Sequence, residues 1–190
     1  MDNGVAAGRG SASTLGQLAL GLTLLAFGLG HTGVIDGVSA ADAVSLAVWV
    51  GGVTLFVAGL LELRAGNAPA GTAFAGLGAF WFTWGRGAGA DASAEATGLF
   101  LVLFALLALT LTLGAASSGR LAQGVHGLLC VSLLLLAIAQ FAGNDGLAQV
   151  GGWAAALAGA GAWFAATAPL ASWPAVRPGR AADRGVTVSG

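Results

Sequence analysis

Long apolar stretches separated by short polar breaks run along most of this chain. Six of them lie near residues 15–35, 43–63, 70–84, 96–116, 121–142 and 147–170. Most approach the roughly 20 apolar residues that a helix needs to cross a bilayer, although Gly85 cuts the third stretch short. Backbone polar groups must be paired within the chain in lipid, and the alternation of barrel strands is missing. The predicted fold class is therefore an all-α integral membrane protein, a bundle of six transmembrane helices.

The arginines lie unevenly on the two sides of this predicted bundle. Six of the seven fall on one side, and Arg86 falls alone on the other. The positive-inside rule makes the arginine-rich side cytoplasmic, so both termini are predicted to be cytoplasmic. The predicted organisation is a disordered cytoplasmic segment (1–14), a transmembrane domain (15–171) and a disordered cytoplasmic tail (172–190). The expected location is the plasma membrane.

The composition excludes an ordinary soluble domain. Of the 190 residues, 57% are hydrophobic and 8% charged, against roughly 25% charged in soluble domains, and the mean hydropathy is +0.87. The net charge of −1 and the absence of lysine argue against a nucleic-acid surface. The single cysteine, Cys130, lies in an apolar stretch and is interpreted as a small core residue.

Candidate chemistry inside the predicted membrane region is sparse. No charged residue falls in the middle of a predicted helix, and Glu62 is placed at a cytoplasmic helix end beside Arg64. This pattern argues against a pump or a carboxylate-relay antiporter, which need intramembrane charges. His31 and His126 have no partners at metal-ligand spacing, although His31 is a candidate sensor of external pH. No metal, cofactor or enzymatic activity is expected.

Residues 58–67 read AGLLELRAGN, and they are followed by GTAF at 71–74 and GAFW at 78–81. This pattern resembles the acetate uptake transporter family, also called succinate–acetate permeases. The likeness extends from about residue 15 to residue 168. It implies six-helix protomers assembled as a hexamer, each with a narrow pathway for small monocarboxylates such as acetate, and for succinate in some members. It implies no cofactor.

The resemblance also implies positions for the pathway's narrow hydrophobic constriction. They fall on Leu20, Leu77 and Leu129, where the family carries an aromatic residue in the first helix and a tyrosine in the third. This chain has no tyrosine, so the predicted constriction is entirely aliphatic. The family's N-P-A-P-L-G-L signature is replaced at 11–17, where only its last leucine–glycine pair remains.

Neutral donors are the predicted contacts of a carboxylate along this pathway. They are Gln17, Thr72, Gln140 and Asn144, with Gln140 at the position of a family asparagine. For Asn144 a helix-capping role with Gly143 is an equal alternative.

The predicted function is a channel or transporter for small monocarboxylates, passive or proton-coupled. Carrying a bare carboxylate through an apolar throat costs desolvation energy. The solute therefore enters as neutral acid, or amides, hydroxyls and helix N-termini coordinate it. Two alternatives remain open: a pore for small neutral solutes such as ammonia, urea or water, and a non-transporting membrane scaffold. The expected partners are the bilayer, a small carboxylic acid and further copies of the chain.

Overall fold

The structure is a computed structural model that describes residues 3–88, 92–117 and 119–171. Six helices, α1–α6, account for most of these residues. Helix α1 spans Asn3–Thr32, and α2 joins Val44–Leu46, a π-helical stretch Ala47–Thr54 and Leu55–Arg64. Helix α3 spans Ala68–Thr83 and continues as the π-helical Trp84–Ala88. Helix α4 spans Ala94–Gly114 and a 3₁₀ turn Ala115–Ser117 follows it; α5 spans Arg120–Ala142 and α6 spans Asp145–Leu170.

The prediction of an all-α membrane bundle is confirmed. Within the described residues, five segments are long and apolar enough to cross a membrane, namely Ala12–Thr32, Ala47–Arg64, Ala94–Gly114, Arg120–Ala142 and Asp145–Leu170. Helix α3 has 16 residues, in agreement with the shortest apolar stretch in the sequence. Helix α1 begins within the segment 1–14, and the tail 172–190 lies outside the described residues. The side on which the termini lie stays a prediction.

The six helices form a ring in chain order, with neighbours antiparallel. Helix α1 packs against α2 and α6, α2 against α3, and α5 lies between α4 and α6. Helices α1, α3 and α5 have little close backbone contact with one another. Their inner side chains therefore meet in a shared interior that the ring encloses.

Close backbone contact holds two of the seams in this ring. A Cβ added to Gly28 of α1 would lie 2.4 Å from Ala156 N of α6, and one added to Gly59 of α2 would lie 2.4 Å from Ala75 N of α3. Helices in lipid associate through this kind of close approach, because moving apolar side chains out of lipid yields little. The abundance of glycine and alanine is explained in part by these seams.

The seam between α3 and α4 is built differently, from aromatic side chains. The rings of Phe80 and Phe104 lie 5.0 Å apart, and those of Phe80 and Phe100 lie 5.6 Å apart and are stacked. Phe27 of α1 joins them through Trp81, at 5.1 Å. We call these residues, with Trp84, the aromatic cluster. It separates the backbones of α3 and α4.

The two ends of the ring differ in charge. Arg64 and Arg120 lie at the end where α1 begins, which we call the arginine end. Asp36, Asp42 and Asp145 lie at the opposite, acidic end. The aromatic cluster lies on the acidic side of the ring's middle, among α1, α3 and α4.

Candidate functional site

Three leucines from alternate helices lie in the interior of the ring. Leu20 of α1 has 2% of its surface exposed, while Leu77 of α3 and Leu129 of α5 have none. All three belong to one continuous cluster of buried side chains. None of them faces the lipid.

Contacts with α2 place two of these leucines at one level along the bundle. A Cβ on Gly51 would lie 2.6 Å from Thr23 Cγ2 and 2.9 Å from Trp81 Cβ, so Thr23 and Trp81 are level with each other. Leu20 precedes Thr23 by three residues, and Leu77 precedes Trp81 by four. Since α1 and α3 run in the same direction, both leucines lie about one turn closer to the arginine end.

Contacts with α4 bring the third leucine to the same level. Gly76 of α3 lies against Leu107, and Cys130 Sγ of α5 donates a hydrogen bond of 3.4 Å to Ala105 O. Leu77 follows Gly76 and Leu129 precedes Cys130, so these two leucines lie beside the same turn of α4. We call the three leucines the leucine layer. An aliphatic layer of this kind excludes water, which is how hydrophobic constrictions gate a pore.

Two of the predicted donors share the inner faces of the leucine-bearing helices. Gln17 lies one turn from Leu20 toward the arginine end, and Gln140 lies three turns from Leu129 toward the acidic end. Both side chains are partly buried. They lie on opposite sides of the leucine layer.

Asn144 forms the junction between α5 and α6. Its Oδ1 accepts a hydrogen bond of 3.0 Å from Leu147 N and caps α6. Its backbone N–H donates to Ala139 O at 3.1 Å, beside Gly143, which has φ = 58°. The Asn144 side-chain oxygen therefore has a helix-capping role, as the alternative prediction proposed. It caps the N-terminus of α6 and not the C-terminus of α5. The amide N–H donors are left for a ligand.

Thr72 lies apart from the other candidates. It is exposed and sits five residues before Leu77, which turns it about 140° away from that inner-facing side chain on the helix. In a single chain it therefore faces outward, and we leave it out of the proposed pathway.

Glu62 is a polar centre whose environment sequence reasoning missed. Its side chain is fully buried. Its Oε1 accepts a hydrogen bond of 2.8 Å from Ser13 Oγ of α1, and its Oε2 accepts one of 2.5 Å from Asn67 Nδ2. The backbone of Asn67 also donates to Glu62 O at 2.9 Å. The cluster Ser13–Glu62–Asn67 ties α1 to the α2–α3 turn at the arginine end. The signal available in the sequence was Glu62 followed five residues later by Asn67 in the 58–67 block.

Two buried side-chain atoms have no hydrogen-bond partner within the described residues. They are Trp81 Nε1 and His126 Nε2. Trp81 lies one turn from Leu77 toward the acidic end, and His126 lies one turn from Leu129 toward the arginine end. The leucine layer therefore has one unpaired buried polar atom within a helical turn on each of its sides.

The two histidines make the same local contact in different surroundings. His31 Nδ1 lies 2.8 Å from Phe27 O, and its ring packs 4.4 Å from that of Phe27 at the edge of the aromatic cluster. His126 Nδ1 lies 2.8 Å from Ala122 O. Across residues 3–88, 92–117 and 119–171, no three histidine, cysteine or acidic side chains come together as a metal site.

Comparison with known proteins finds one family throughout. Residues 5–175 match the GPR1/FUN34/yaaH family. The succinate-acetate/proton symporter SatP of Escherichia coli (strain K12) is 31% identical over 154 residues, which cover 76% of this chain and 80% of that protein. Proteins of the same name from Escherichia coli O157:H7 and Shigella flexneri align equally well.

A solved structure of the bacterial acetate channel SatP has the same fold. It superposes with a TM-score of 0.76 at 28% identity, covering 85% of this chain and 92% of that chain. The family resemblance seen in the sequence is thereby confirmed. The chain belongs to the GPR1/FUN34/yaaH family.

Proposed function

We propose that this chain is a membrane channel or transporter that carries small monocarboxylates such as acetate, and succinate as a second candidate, through the interior of its helix ring. The observation that carries the proposal is the leucine layer, which lies in the interior of a fold shared with an acetate channel. The relatives described above are named as a symporter and a channel, so transport rather than catalysis is the class of activity proposed.

The proposed pathway runs from Asn144 and Gln140 at the acidic end, across the leucine layer, to Gln17 at the arginine end. A carboxylate loses its hydration in the layer, at an effective cost of several kcal/mol. A neutral carboxylic acid avoids most of that cost, because its O–H and C=O groups need only neutral partners. We therefore propose that the acid form crosses the layer, which carries one proton with each acid molecule.

Uptake of labelled acetate into proteoliposomes tests this function. We expect saturable uptake above that of empty liposomes, and faster uptake at about pH 5 than at about pH 7 because more of the substrate is protonated. Leu129→Trp fills the leucine layer and should abolish uptake. Leu103→Trp is the matched control, because Leu103 is 56% exposed on the outer face of α4. Wild-type uptake no greater than in empty liposomes at either pH would refute the proposal.

The same vesicles separate the alternatives. A pore for small neutral solutes would admit urea in a swelling assay as readily as it admits acetate. A scaffold would admit neither, and its Asn144→Ala and Leu129→Trp variants would support the same cellular phenotype as the wild type. We expect acetate uptake without urea swelling.

We further propose that both termini face the cytoplasm and that the protein lies in the plasma membrane. The arginine end supports this orientation, because Arg64 and Arg120 lie there and positively charged loops remain on the cytoplasmic side of a membrane. A Cys130→Ala chain carrying a new cysteine at the exposed Ala68 tests this orientation. A membrane-impermeant thiol reagent applied to intact cells should not label it, and labelling would reverse the assignment.

A homo-oligomer, a hexamer by family resemblance, is also proposed. The support is an apolar groove of about 370 Å³ on the outer surface between α2 and α3, lined by side chains that include Val53, Phe56, Ala79 and Phe82. Native mass spectrometry from nanodiscs should show the oligomer. A mass corresponding to one chain under all lipid conditions would refute it.

A further inference from the structure

His126 lies on the inner face of α5. The neighbouring Val125 packs against α6, since a Cβ on Gly161 would lie 3.0 Å from Val125 Cγ2. Cys130 bonds in the other direction, to Ala105 O of α4. Helical geometry places His126 between these two directions, one turn from Leu129.

The ring of His126 has a defined hydrogen-bonding role. Nδ1 lies 2.8 Å from Ala122 O, and a carbonyl oxygen only accepts, so Nδ1 carries the hydrogen. In the neutral ring Nε2 then has a lone pair and acts as an acceptor. Nε2 is buried and has no partner among the described residues. A buried acceptor without a donor is uncommon in folded proteins and calls for an explanation such as a ligand or a water molecule.

No charged side chain on the helices packed against α5 competes for this nitrogen. Those elements are α4, the turn Ala115–Ser117 and α6, all within the described residues. Their charged residues are Glu95 and Asp145, both at the acidic end. On α5 itself Arg120 is exposed at the helix start, and Cys130 bonds to α4. Within the described residues, no charged side chain on these elements is placed to pair with Nε2, which leaves this nitrogen open to a hydrogen-bond donor from outside the chain.

Gln17 supplies a second polar group at the same level. It lies one turn from Leu20 toward the arginine end, as His126 does from Leu129, and its side chain is partly buried. Its amide donates and accepts hydrogen bonds. A carboxylic acid has the matching groups, namely an O–H donor and a C=O acceptor.

We propose that His126 and Gln17 form a carboxyl-binding subsite on the arginine side of the leucine layer. The acid O–H donates to His126 Nε2, and the acid C=O accepts from the Gln17 amide. The subsite rests on the proposed transport function and adds a place where the neutral acid is held after or before it crosses the layer. It selects a carboxylic acid over an apolar solute of the same size.

Nitrogen-15 NMR of histidine in nanodiscs tests the subsite without any transport. The chain has two histidines, so His31→Gln leaves His126 as the only signal and assigns it. At about pH 7 we expect a protonated Nδ1 and an unprotonated Nε2 in the free protein, and a saturable shift of the Nε2 resonance when acetate is added. Methyl acetate has no O–H group and should not shift it. A protonated Nε2 in the free protein, or equal shifts with both compounds, would overturn the proposal.

Substitution of each partner gives a second measurement. Gln17→Leu should weaken acetate binding in the same titration by about 2- to 12-fold, the range expected for one neutral hydrogen bond. In proteoliposomes His126→Leu should raise the apparent KM for acetate by a similar factor. His126→Gln, which retains an acceptor, should raise it less, and His31→Gln should leave it unchanged. Equal KM values for wild type and His126→Leu would overturn the subsite.

The NMR titration and the uptake assay together distinguish a failure of this inference from a failure of the proposed function. A saturable Nε2 shift in a wild-type protein that takes up no acetate would support the subsite and refute transport. Normal uptake with no acetate-dependent shift would support transport and refute the subsite.

Discussion

Replacement of Glu62 by leucine is expected to destabilise the arginine end of the ring. The carboxylate is fully buried and accepts hydrogen bonds from Ser13 Oγ and Asn67 Nδ2. Hydrogen bonds to a charged group contribute about 1.5–3 kcal/mol each, so the two contribute about 3–6 kcal/mol. Burial of the new leucine returns about 1.5–3 kcal/mol. The expected net loss is centred on about 2 kcal/mol, with an upper bound of about 4.5 kcal/mol. The central value is equivalent to about 4–8 °C in the unfolding midpoint of a chain of this size.

Cys130 provides the assay for this prediction. It is the only cysteine and is 9% exposed, so a thiol-reactive dye labels it only as the chain unfolds in detergent. Glu62→Gln is the conservative variant. Its amide oxygen can accept from Asn67 and its NH₂ can donate to the rotating Ser13 hydroxyl, so we expect less than half the shift. Arg64→Leu, at an exposed position two residues on, should change stability by less than about 0.5 kcal/mol.

A double-mutant cycle decides whether the reasoning holds. Ser13→Ala should cost about 1.5–3 kcal/mol in the wild-type background, because it removes one donor from the carboxylate. In the Glu62→Leu background the same substitution should cost almost nothing, because the partner is already gone. Equal costs in the two backgrounds would show that the Ser13–Glu62 bond contributes no stability, and would refute the argument.

Three further predictions follow from other contacts. Leu129→Ala opens the leucine layer, so it should raise the rate of acetate uptake while lowering stability by about 2–5 kcal/mol; unchanged uptake would contradict a constriction there. Gly28→Ala places a Cβ 2.4 Å from Ala156 N and should lower the unfolding midpoint, whereas Gly124→Ala, with open space around it, should raise it slightly. The pKa of Asp42 is lowered by hydrogen bonds from the Ser39 side chain and backbone. The stabilisation of this loop is therefore present above the ordinary carboxyl pKa and lost as pH falls through the lowered value. Ser39→Ala should raise the pKa of Asp42 in a carbon-13 NMR titration, and an unchanged value would contradict this.

The helices were predictable because lipid imposes a simple rule on sequence. A span must be apolar and helical over about 20 residues, so hydropathy alone locates five spans and a short α3. The π-helical stretch Ala47–Thr54 was not predictable in this way. Its bond from Thr54 Oγ1 to Trp49 O lies within the stretch itself, but the close contact of Gly51 with α1 and α3 depends on neighbouring helices. Apolar residues satisfy a π-helix and an α-helix equally well.

The residues of the candidate site likewise fall into those that the sequence predicts and those that depend on contacts between helices. The leucine layer was assigned by family resemblance, and its burial needs only the helical period, since Leu20, Leu77 and Leu129 each lie on an inner face. The role of a polar residue depends instead on which atoms face it from other helices. From the sequence Glu62 is an ordinary helix end, whereas in the structure Ser13, 49 residues away, donates a hydrogen bond to it.

His126 shows the opposite case, in which the informative fact is a missing partner. Its Nδ1 bond to Ala122 is local and lies within α5, so a sequence pattern can suggest it. The missing hydrogen-bond partner of Nε2 cannot be read from α5 alone, because it depends on which side chains of α4 and α6 lie near this nitrogen. In a ring with so few polar groups, an atom left unpaired beside the leucine layer is the observation from which we propose a carboxyl-binding subsite there. A solute that cannot donate a hydrogen bond gains nothing from that atom, so the proposed subsite favours the acid form of the substrate over its carboxylate.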